Sequence, residues 1–356
     1  MDLLNRPSTR PAVRRGLIAI ALTASLTTAA LFAGTASAQQ STTWRVQSHW
    51  PTASSSYEGS LVRIKNIIEE RTDGRVKLKL YPAGALFKGE QTFDAVKRGI
   101  IQMGTISPAY AQNQMSLAGI ASGLPFAFRN VWEVAYFHKS LGFEDMLRAE
   151  AAEHGVYWST DKVYPTEMVV NKPIKSMADL KGLKIRSSGV LATFLTDAGA
   201  SASYIPGSEL YTALSSGVVD GAHWGAAQGA SSMSLYEVAP YHVKPALNIA
   251  GTDVFIINQK ALDKLSDEDA KTVRDALDEQ FWYRTNEYQY LEQLALAKEM
   301  ATHDVKINTL PPEMQNKLTE IAQKSWNEMG KRSDNAAEAL SRLRKMLANL
   351  GYIEAS

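Results

Sequence analysis

Arg186 is the residue of this chain whose chemistry best suits the binding of an anion. Apolar and basic residues alternate over residues 183–186, a spacing that predicts a short strand ending at the arginine. Open α/β sheets bind their ligands at the carboxyl ends of the strands. A guanidinium also presents a rigid fork of donors that matches a carboxylate. We therefore expect Arg186 to anchor a ligand that carries a carboxylate.

His223 and Trp224 are a second candidate for ligand contact. Both side chains are bulky, whereas the flanking residues 221–222 and 225–227 are all glycine or alanine. As ligand contacts, the two would supply a flat apolar wall and a donor whose protonation can change. The alternative is a core histidine beside a packing tryptophan, and the spacing alone leaves that alternative open.

Three more candidates lie near the ends of predicted elements. Trp50 closely follows the first predicted strand, residues 44–48, and Ser107 ends the strand predicted from Met103. Lys88 precedes the helix predicted from Glu90. Each of the three side chains could contact a ligand or could instead be solvated.

The sequence carries none of the usual catalytic or cofactor-binding motifs. It has no Cys and no G-x-S-x-G, H-E-x-x-H, G-x-G-x-x-G or P-loop pattern, and its six His residues include no pair four residues apart. We therefore predict that the protein is not an enzyme and that it carries no cofactor.

The N-terminus has the pattern of a signal peptide. Four arginines precede an apolar run over residues 17–33, and Ala36-Ser37-Ala38 is a suitable cleavage site. We predict export to the periplasm with cleavage after Ala38; the Arg14-Arg15 pair leaves the twin-arginine route open beside ordinary secretion.

Without the four arginines and one aspartate of this segment, 34 basic and 36 acidic residues remain. A net charge near −2 gives no reason to expect nucleic acid as a partner.

The order of predicted elements indicates an α/β fold. A β-α-β-α pattern runs from residue 44 and starts afresh near residue 174, which predicts two lobes with mainly parallel sheets. After Ser266 the next Gly or Pro is Pro311, so a helix is predicted over about residues 267–302. A helix of that length, roughly 50 Å, either braces both lobes or forms a homodimer contact. Two shorter helices with a kink are the alternative.

Over essentially all of its length after the signal peptide, the chain resembles the periplasmic solute-binding proteins of tripartite ATP-independent periplasmic (TRAP) transporters, the DctP-like family. The resemblance is carried by Leu80-Tyr81-Pro82, residues 99–104, Leu124-Pro125-Phe126, residues 171–176 and 178–186, residues 209–214, and Val219-Asp220-Gly221. It implies a two-lobed clamp with a long hinge-spanning helix, in which Arg186 binds the carboxylate of an organic acid that is then passed to a membrane permease.

The resemblance also implies where the lobes divide. Lobe I is expected to comprise residues 39–165 and 253–291, and lobe II residues 166–252 and 292–356, with the helix of residues 267–302 bracing both.

Departures from the family pattern bear on the ligand. A tryptophan at the position of Trp224 resembles the branch that binds 2-oxo and 2-hydroxy monocarboxylates. Dicarboxylate and sialic-acid binders often have a second Arg where this chain has Thr166, which favours a single carboxylate unless Lys88 substitutes. Branch members that hold a metal supply acidic residues where this chain has His223 and, further on, Ile249, so no metal is predicted.

The sequence therefore predicts a solute-binding component of a TRAP transporter that captures a small 2-oxo, 2-hydroxy or aromatic monocarboxylate. The expected contacts are Arg186, Trp224, His223, Thr166, Ser107, Trp50 and Lys88. Four alternatives stay open: a dicarboxylate, a sulfonate or an ectoine-type zwitterion on the same scaffold, or the binding protein of an ATP-driven (ABC) importer.

Overall fold

The structure, a computed structural model, describes residues 41–353. The predicted signal peptide, residues 1–38, lies outside the described residues. The strands are β1 Thr42–Gln47, β2 Val76–Tyr81, β3 Met103–Ile106, β4 Val156–Thr166, β5 Met168–Val170, β6 Lys184–Arg186, β7 Ser201–Ser203, β8 Gly221–His223, β9 Tyr241–Lys244, β10 Asn248–Asn258 and β11 Lys306–Thr309.

Helices connect and cover these strands. They are α1 Arg63–Arg71, α2 Thr92–Lys97, α3 Ala118–Ala121, α4 Val131–Lys139, α5 Phe143–Glu153, α6 Met177–Leu180, α7 Gly189–Asp197, α8 Leu210–Ser215, α9 Ala227–Ser232, α10 Gln259–Asp263, α11 Asp267–Thr302, α12 Pro312–Gly330 and α13 Asp334–Asn349. Helices α12 and α13 are separate because Ser333 caps a new helix by accepting a hydrogen bond from Ala336 N.

The strands form two mixed sheets, as expected for a two-lobed α/β protein. The first has the order β2-β1-β3-β10-β4 and the second β11-β9-β5-β8-β6-β7. Parallel pairs join β2, β1 and β3 in the first sheet and β8, β6 and β7 in the second. Antiparallel pairs occur where β4, β5 and β10 take part, because these strands carry the chain between the sheets.

The crossing between the sheets lies at Glu167. Strand β4 pairs with β10 as far as Thr166, and Met168 already pairs with β8 of the second sheet. The backbone N–H of Glu167 donates to the carbonyl of Gly225 at 2.9 Å. This stretch therefore brings the ends of β4, β8 and β10 close together.

Helix α11 was predicted with the bounds that the structure shows. Ser266 caps it by accepting a hydrogen bond from Asp269 N at 3.1 Å, and acidic residues 267–269 complement the positive end of the helix dipole. Its first half packs Val273 and Leu277 against the first sheet. Its second half contacts α9, which follows strand β8 of the second sheet. The helix thus contacts the first sheet and, through α9, an element next to the second.

Within residues 41–353, no helix combines the length and the apolar character that crossing a bilayer requires.

Candidate functional site

The cleft between the two sheets contains a small cavity of about 60 Å³. Its lining includes Trp50, Ser107, Arg186, His223 and Trp224. A smaller cavity of about 40 Å³ adjoins it, since both are bordered by Ser107, Ser188 and His223. A cavity needs roughly 10–15 Å³ to hold one water, so this space fits a compact ligand of a few heavy atoms.

Arg186 ends strand β6 and is 2% exposed. Its Nε donates to the carbonyl of Ile205 and its Nη1 to the carbonyl of His223, each at 2.9 Å. Neither acceptor carries a charge. Within residues 41–353, no carboxylate pairs with this guanidinium and no group accepts a hydrogen bond from Nη2. The site therefore contains a buried, permanently charged guanidinium whose Nη2 can still donate hydrogen bonds.

Trp224 forms an apolar wall beside this guanidinium. The ring lies 5.1 Å from Arg186 Cζ, and the ring of Tyr204 lies 5.6 Å from it. Glycine makes room for the indole: a Cβ at Gly207 would stand 2.2 Å from the ring, and one at Gly229 would stand 1.8 Å from the Trp224 carbonyl. The small residues around Trp224 therefore serve its packing in the cavity wall.

His223 is neutral in this setting. Burial, reinforced by the positive charge of Arg186, lowers the pKa of the imidazole to about 3. Its Nε2 lies 2.9 Å from Ser187 Oγ, a contact that fixes the ring. The imidazole therefore offers hydrogen bonding without adding a second charge to the cavity.

The opposite wall comes from the first sheet. His49 lies between Thr105 Oγ1 at 2.9 Å and Asp253 Oδ1 at 3.2 Å, and its ring packs on Trp50 with centroids 4.5 Å apart. Burial raises the pKa of Asp253, but Lys162 and His49 outweigh it and hold that pKa well below its usual range.

Lys162 lies directly behind this wall. Its Nζ donates to Asp253 Oδ2 at 2.6 Å and to Asp161 Oδ2 at 2.9 Å. Asp161 also accepts from Ser60 Oγ at 2.7 Å and from Gln280 Nε2 at 3.0 Å, which ties the pair to helix α11. The charges on this side of the cleft are therefore paired within the protein.

The structure brings together most of the residues predicted from the sequence. Trp50, Ser107, Arg186, His223 and Trp224 line the main cavity, and Thr166 lines the adjoining one. Lys88 is the exception. Its side chain is exposed at the start of a turn and borders neither cavity, so it does not face Arg186 as a second cation.

Sequence reasoning missed Asp253, Tyr110, Tyr164 and Tyr288, which line the cavity, and Lys162 behind it. The available signal was the polar run Thr160-Asp161-Lys162, which follows the apolar start of a predicted strand. Among residues 41–353, no group of three or more His, Cys, Asp or Glu side chains is placed to hold a metal ion.

Comparisons with known proteins show which family the chain is similar to. Residues 47–333 match the model of DctP, the bacterial extracellular solute-binding proteins of family 7. A monocarboxylate 2-oxoacid-binding periplasmic protein of Nostoc sp. is 26% identical over 72% of this chain and 71% of its own. The ectoine-binding periplasmic protein TeaA of Halomonas elongata is 28% identical over 78% of this chain and 82% of its own.

A solved structure shows the same fold. It is a TRAP periplasmic solute-binding protein from Pseudoalteromonas atlantica with bound sodium and pyruvate. Its TM-score to this chain is 0.80, with 22% identity over 88% of this chain and 95% of the other. The family match, the two-sheet architecture and the cleft agree: the chain belongs to the DctP family of periplasmic solute-binding proteins of TRAP transporters, a family of receptors rather than enzymes.

Proposed function

We propose that the protein captures a small monocarboxylate, with the carboxylate bound by Arg186, and delivers it to a TRAP permease. The observation that carries the proposal is the buried guanidinium of Arg186, whose hydrogen bonds within the described chain go to neutral carbonyls. Burying an ion without a counter-ion is costly, and arginine does not escape that cost by losing its proton. A ligand carboxylate supplies the missing counter-ion.

A single carboxylate fits the surroundings better than two. Thr166 lines the adjoining cavity at the position where the resemblance implies a second arginine in dicarboxylate binders, and Lys88 is exposed outside both cavities. The buried cation on the far side, Lys162, is already paired with Asp161 and Asp253. A second ligand carboxylate would therefore be buried without a partner.

The walls of the cavity favour a 2-oxo or 2-hydroxy acid, and the small volume of the cavity favours a short tail over an aromatic one. Trp50 and Trp224 offer flat apolar surface on its two sides, while His223 and Ser107 offer hydrogen bonds at the cavity edge. The relative from Nostoc is named for binding monocarboxylate 2-oxoacids, which supports the same ligand class here.

Closure of the two lobes is the expected response to the ligand. The predicted lobes, 39–165 with 253–291 and 166–252 with 292–356, meet where β4 passes into β5. Arg186 comes from one lobe, and Trp50 from the other. A ligand that contacts both walls stabilises the closed form, which then docks on the permease.

A thermal-shift screen tests the ligand class. The panel comprises monocarboxylates, dicarboxylates, 2-oxo and 2-hydroxy acids, aromatic acids, sulfonates, ectoine and sugars. A ligand at 100 times its Kd raises the free energy of unfolding by about 2.7 kcal/mol, which is readily detected. Stabilisation by one class of monocarboxylate is the expected result. Stabilisation only by uncharged compounds would refute the role of Arg186.

An ectoine-type ligand is the second candidate, because the chain is similar to an ectoine-binding protein. Ectoine carries a carboxylate for Arg186 together with a cationic ring. The same screen separates the two candidates, since ectoine and the simple acids differ in the presence of that cation.

The cellular setting is proposed on the same basis. Export with cleavage after Ala38 places the mature protein in the periplasm, where the DctP family acts. Mass spectrometry of the protein recovered from a periplasmic extract is expected to show an N-terminus at Gln39. An intact N-terminus on the recovered protein would contradict the cleavage site.

A homodimer through helix α11 is also proposed. Trp282, Tyr290 and Leu294 are each about half exposed or more on this helix, an unusual amount of apolar surface. Analytical ultracentrifugation is expected to show a dimer that Tyr290→Glu dissociates. A monomer at all concentrations would refute the contact.

A further inference from the structure

We propose that Lys162 determines the class of ligand by binding, from behind the cavity wall, the aromatic rings that line the cavity, so that anions enter and ligands with a cationic group are rejected. The inference rests on the proposed function and specifies the ligand of the same site. It distinguishes the monocarboxylate candidate from the ectoine-type candidate.

Three aromatic rings that line the cavity surround the ammonium of Lys162. Its Nζ lies 4.7 Å from the ring centroid of Trp50, 5.1 Å from that of Tyr164 and 5.6 Å from that of Tyr288. A cation within about 6 Å of a ring face is attracted by the ring quadrupole. These rings would suit a cationic ligand group, but the protein's own ammonium already uses them.

Lys162 is held firmly in this position. Its side chain is 1% exposed, and Nζ donates to both Asp161 and Asp253. In the backbone, Lys162 pairs with Asp253 of β10, beside a bulge at Asp161. The ammonium is therefore a fixed part of the wall rather than a mobile side chain that a ligand could displace.

Asp253 is the acidic side chain of the cavity wall, and both of its carboxylate oxygens already accept hydrogen bonds. Its Oδ2 accepts from Lys162, while its Oδ1 accepts from His49 Nε2 at 3.2 Å and from the Tyr164 hydroxyl at 3.1 Å. A cationic ligand group near this wall would meet a carboxylate whose oxygens are already hydrogen-bonded and, behind it, a like charge in a medium of low dielectric constant.

The two walls together select one class of ligand. Arg186 has donors available for a carboxylate, whereas the features that could bind a cation are taken by Lys162. The inferred ligand is thus a monoanion whose remaining part is neutral, such as a keto, hydroxy or apolar group. Amino acids and ectoine carry the cation that this cavity excludes.

Isothermal titration with two matched series tests the inference. Pyruvate, lactate and alanine share one carbon skeleton and differ at C2, as do phenylpyruvate, phenyllactate and phenylalanine. The wild-type protein is expected to bind an oxo or hydroxy acid at least ~10-fold tighter than the amino acid of its series and than ectoine. Equal or tighter binding of an amino acid or ectoine would overturn the inference while leaving the anchor at Arg186 intact.

A variant with unchanged net charge sharpens the test. Lys162→Met with Asp161→Asn removes one cation and one anion, takes the ammonium away from the rings of Trp50 and Tyr164, and frees one oxygen of Asp253; Arg284 stays 5.2 Å from the ring of Tyr288. The preference for the anion over the amino acid is expected to fall by at least ~10-fold. An unchanged preference would overturn the inference. The comparison is made within one protein, so a general loss of stability does not affect it.

Two further variants serve as checks. Lys162→Gln with Asp253→Asn removes the ammonium by another route, for use if the first variant does not fold, and the same fall in preference is expected. Lys139→Met is the matched control: Lys139 also lies over a ring, 4.5 Å from the centroid of Phe281, but it borders neither cavity, so the preference should not change. Failure of every acid in both series to bind would instead refute the proposed function itself.

Discussion

The two walls of the cavity each hold a buried cation, in contrasting states. Arg186, on the wall from the second sheet, is bonded to the neutral carbonyls of Ile205 and His223. Lys162, behind the wall from the first sheet, is equally buried but lies between Asp161 and Asp253. The first cation has no counter-ion within the described chain, and the second has two.

Because of this difference, we expect Arg186 to serve ligand binding and Lys162 to serve folding. An ion pair completed within the chain contributes to the folded state, and removing one partner leaves the other uncompensated. A cation without a partner contributes little to folding, but it strongly attracts the carboxylate of a ligand. We therefore expect substitutions on the two walls to affect different measurements.

The largest effect is expected from Lys162→Met. It leaves Asp161 and Asp253 buried without their cation, and such a loss costs about 3–5 kcal/mol in the free energy of unfolding. Urea denaturation measures it. Lys139→Met is the control, because its partner Glu144 keeps Arg148 as a second cation and should destabilise far less. A loss below 1 kcal/mol for Lys162→Met would contradict the assignment of this pair to folding.

Arg186→Ala should show the opposite pattern. Removing one partner of a buried charge pair costs about 2–5 kcal/mol of binding free energy, so titration calorimetry should show little or no binding. The free energy of unfolding without ligand should stay the same or rise, since an unpaired buried charge is removed. Arg186→Lys keeps the charge but loses the fork, and intermediate affinity is expected. Full affinity in the Ala variant would show that the carboxylate binds elsewhere.

Glu292 is a third buried ionisable group, and its state differs from those of Arg186 and Lys162. It is 4% exposed on α11, and its Oε2 accepts from Gln228 N at 3.1 Å. Burial raises the pKa of Glu292 to about 8 from an ordinary 4.5, despite that hydrogen bond, and Glu167 adds to the rise. Unlike arginine, this carboxyl group relieves an unpaired charge by keeping its proton.

The raised pKa makes stability depend on pH. Between pH 4.5 and 8 the folded state retains a proton that the unfolded chain releases, so the free energy of unfolding contributed by Glu292 falls as the pH rises. Glu292→Gln should equal the wild type near pH 5 and exceed it by roughly 1–3 kcal/mol at pH 9. Glu299→Gln is the control: Glu299 accepts from Ser231 Oγ and contacts His303, so its loss should destabilise at each pH. A constant difference for Glu292→Gln would contradict the shift.

The contrast between the walls also explains what the sequence could predict. Arg186 was found because it ends a short strand with a clear alternation, a local pattern. The pair Lys162–Asp253 joins residues 91 positions apart in the middle of two long strands, and a single sequence does not reveal which strands become neighbours. Helix α11 was predicted to the residue because its start signal and its lack of Gly or Pro are local too.

The sheet directions show the same limit. A β-α-β order predicts parallel neighbours, and β1, β2 and β3 obey it. Strands β4 and β10 pair antiparallel because both cross between the sheets, and crossing is a property of the whole fold. Most candidate residues next to local signals therefore line the cavities, although Lys88 does not, whereas the rings around Lys162 depend on tertiary pairing.

The smallest effects are expected from substitutions that remove a hydrogen-bond partner from one of the two histidines in the walls. Ser187 Oγ lies 2.9 Å from His223 Nε2, beside Arg186, and Thr105 Oγ1 lies 2.9 Å from His49 Nδ1, on the paired side. One hydrogen bond contributes about 1 kcal/mol. Ser187→Ala should therefore weaken ligand binding about 5-fold, because His223 loses its orientation next to the unpaired guanidinium.

Thr105→Val is the matched substitution on the other wall. It should lower the free energy of unfolding by at least about 1 kcal/mol, because Thr105 Oγ1 also accepts from the backbone N–H of His49 at 3.1 Å. It should change the affinity by less than about 2-fold, because His49 remains tied to Asp253 within a network that is complete without ligand. Calorimetric titration and urea denaturation of both variants measure the two quantities. If Thr105→Val weakened binding more than Ser187→Ala, the division of the cavity into a binding wall and a folding wall would be wrong.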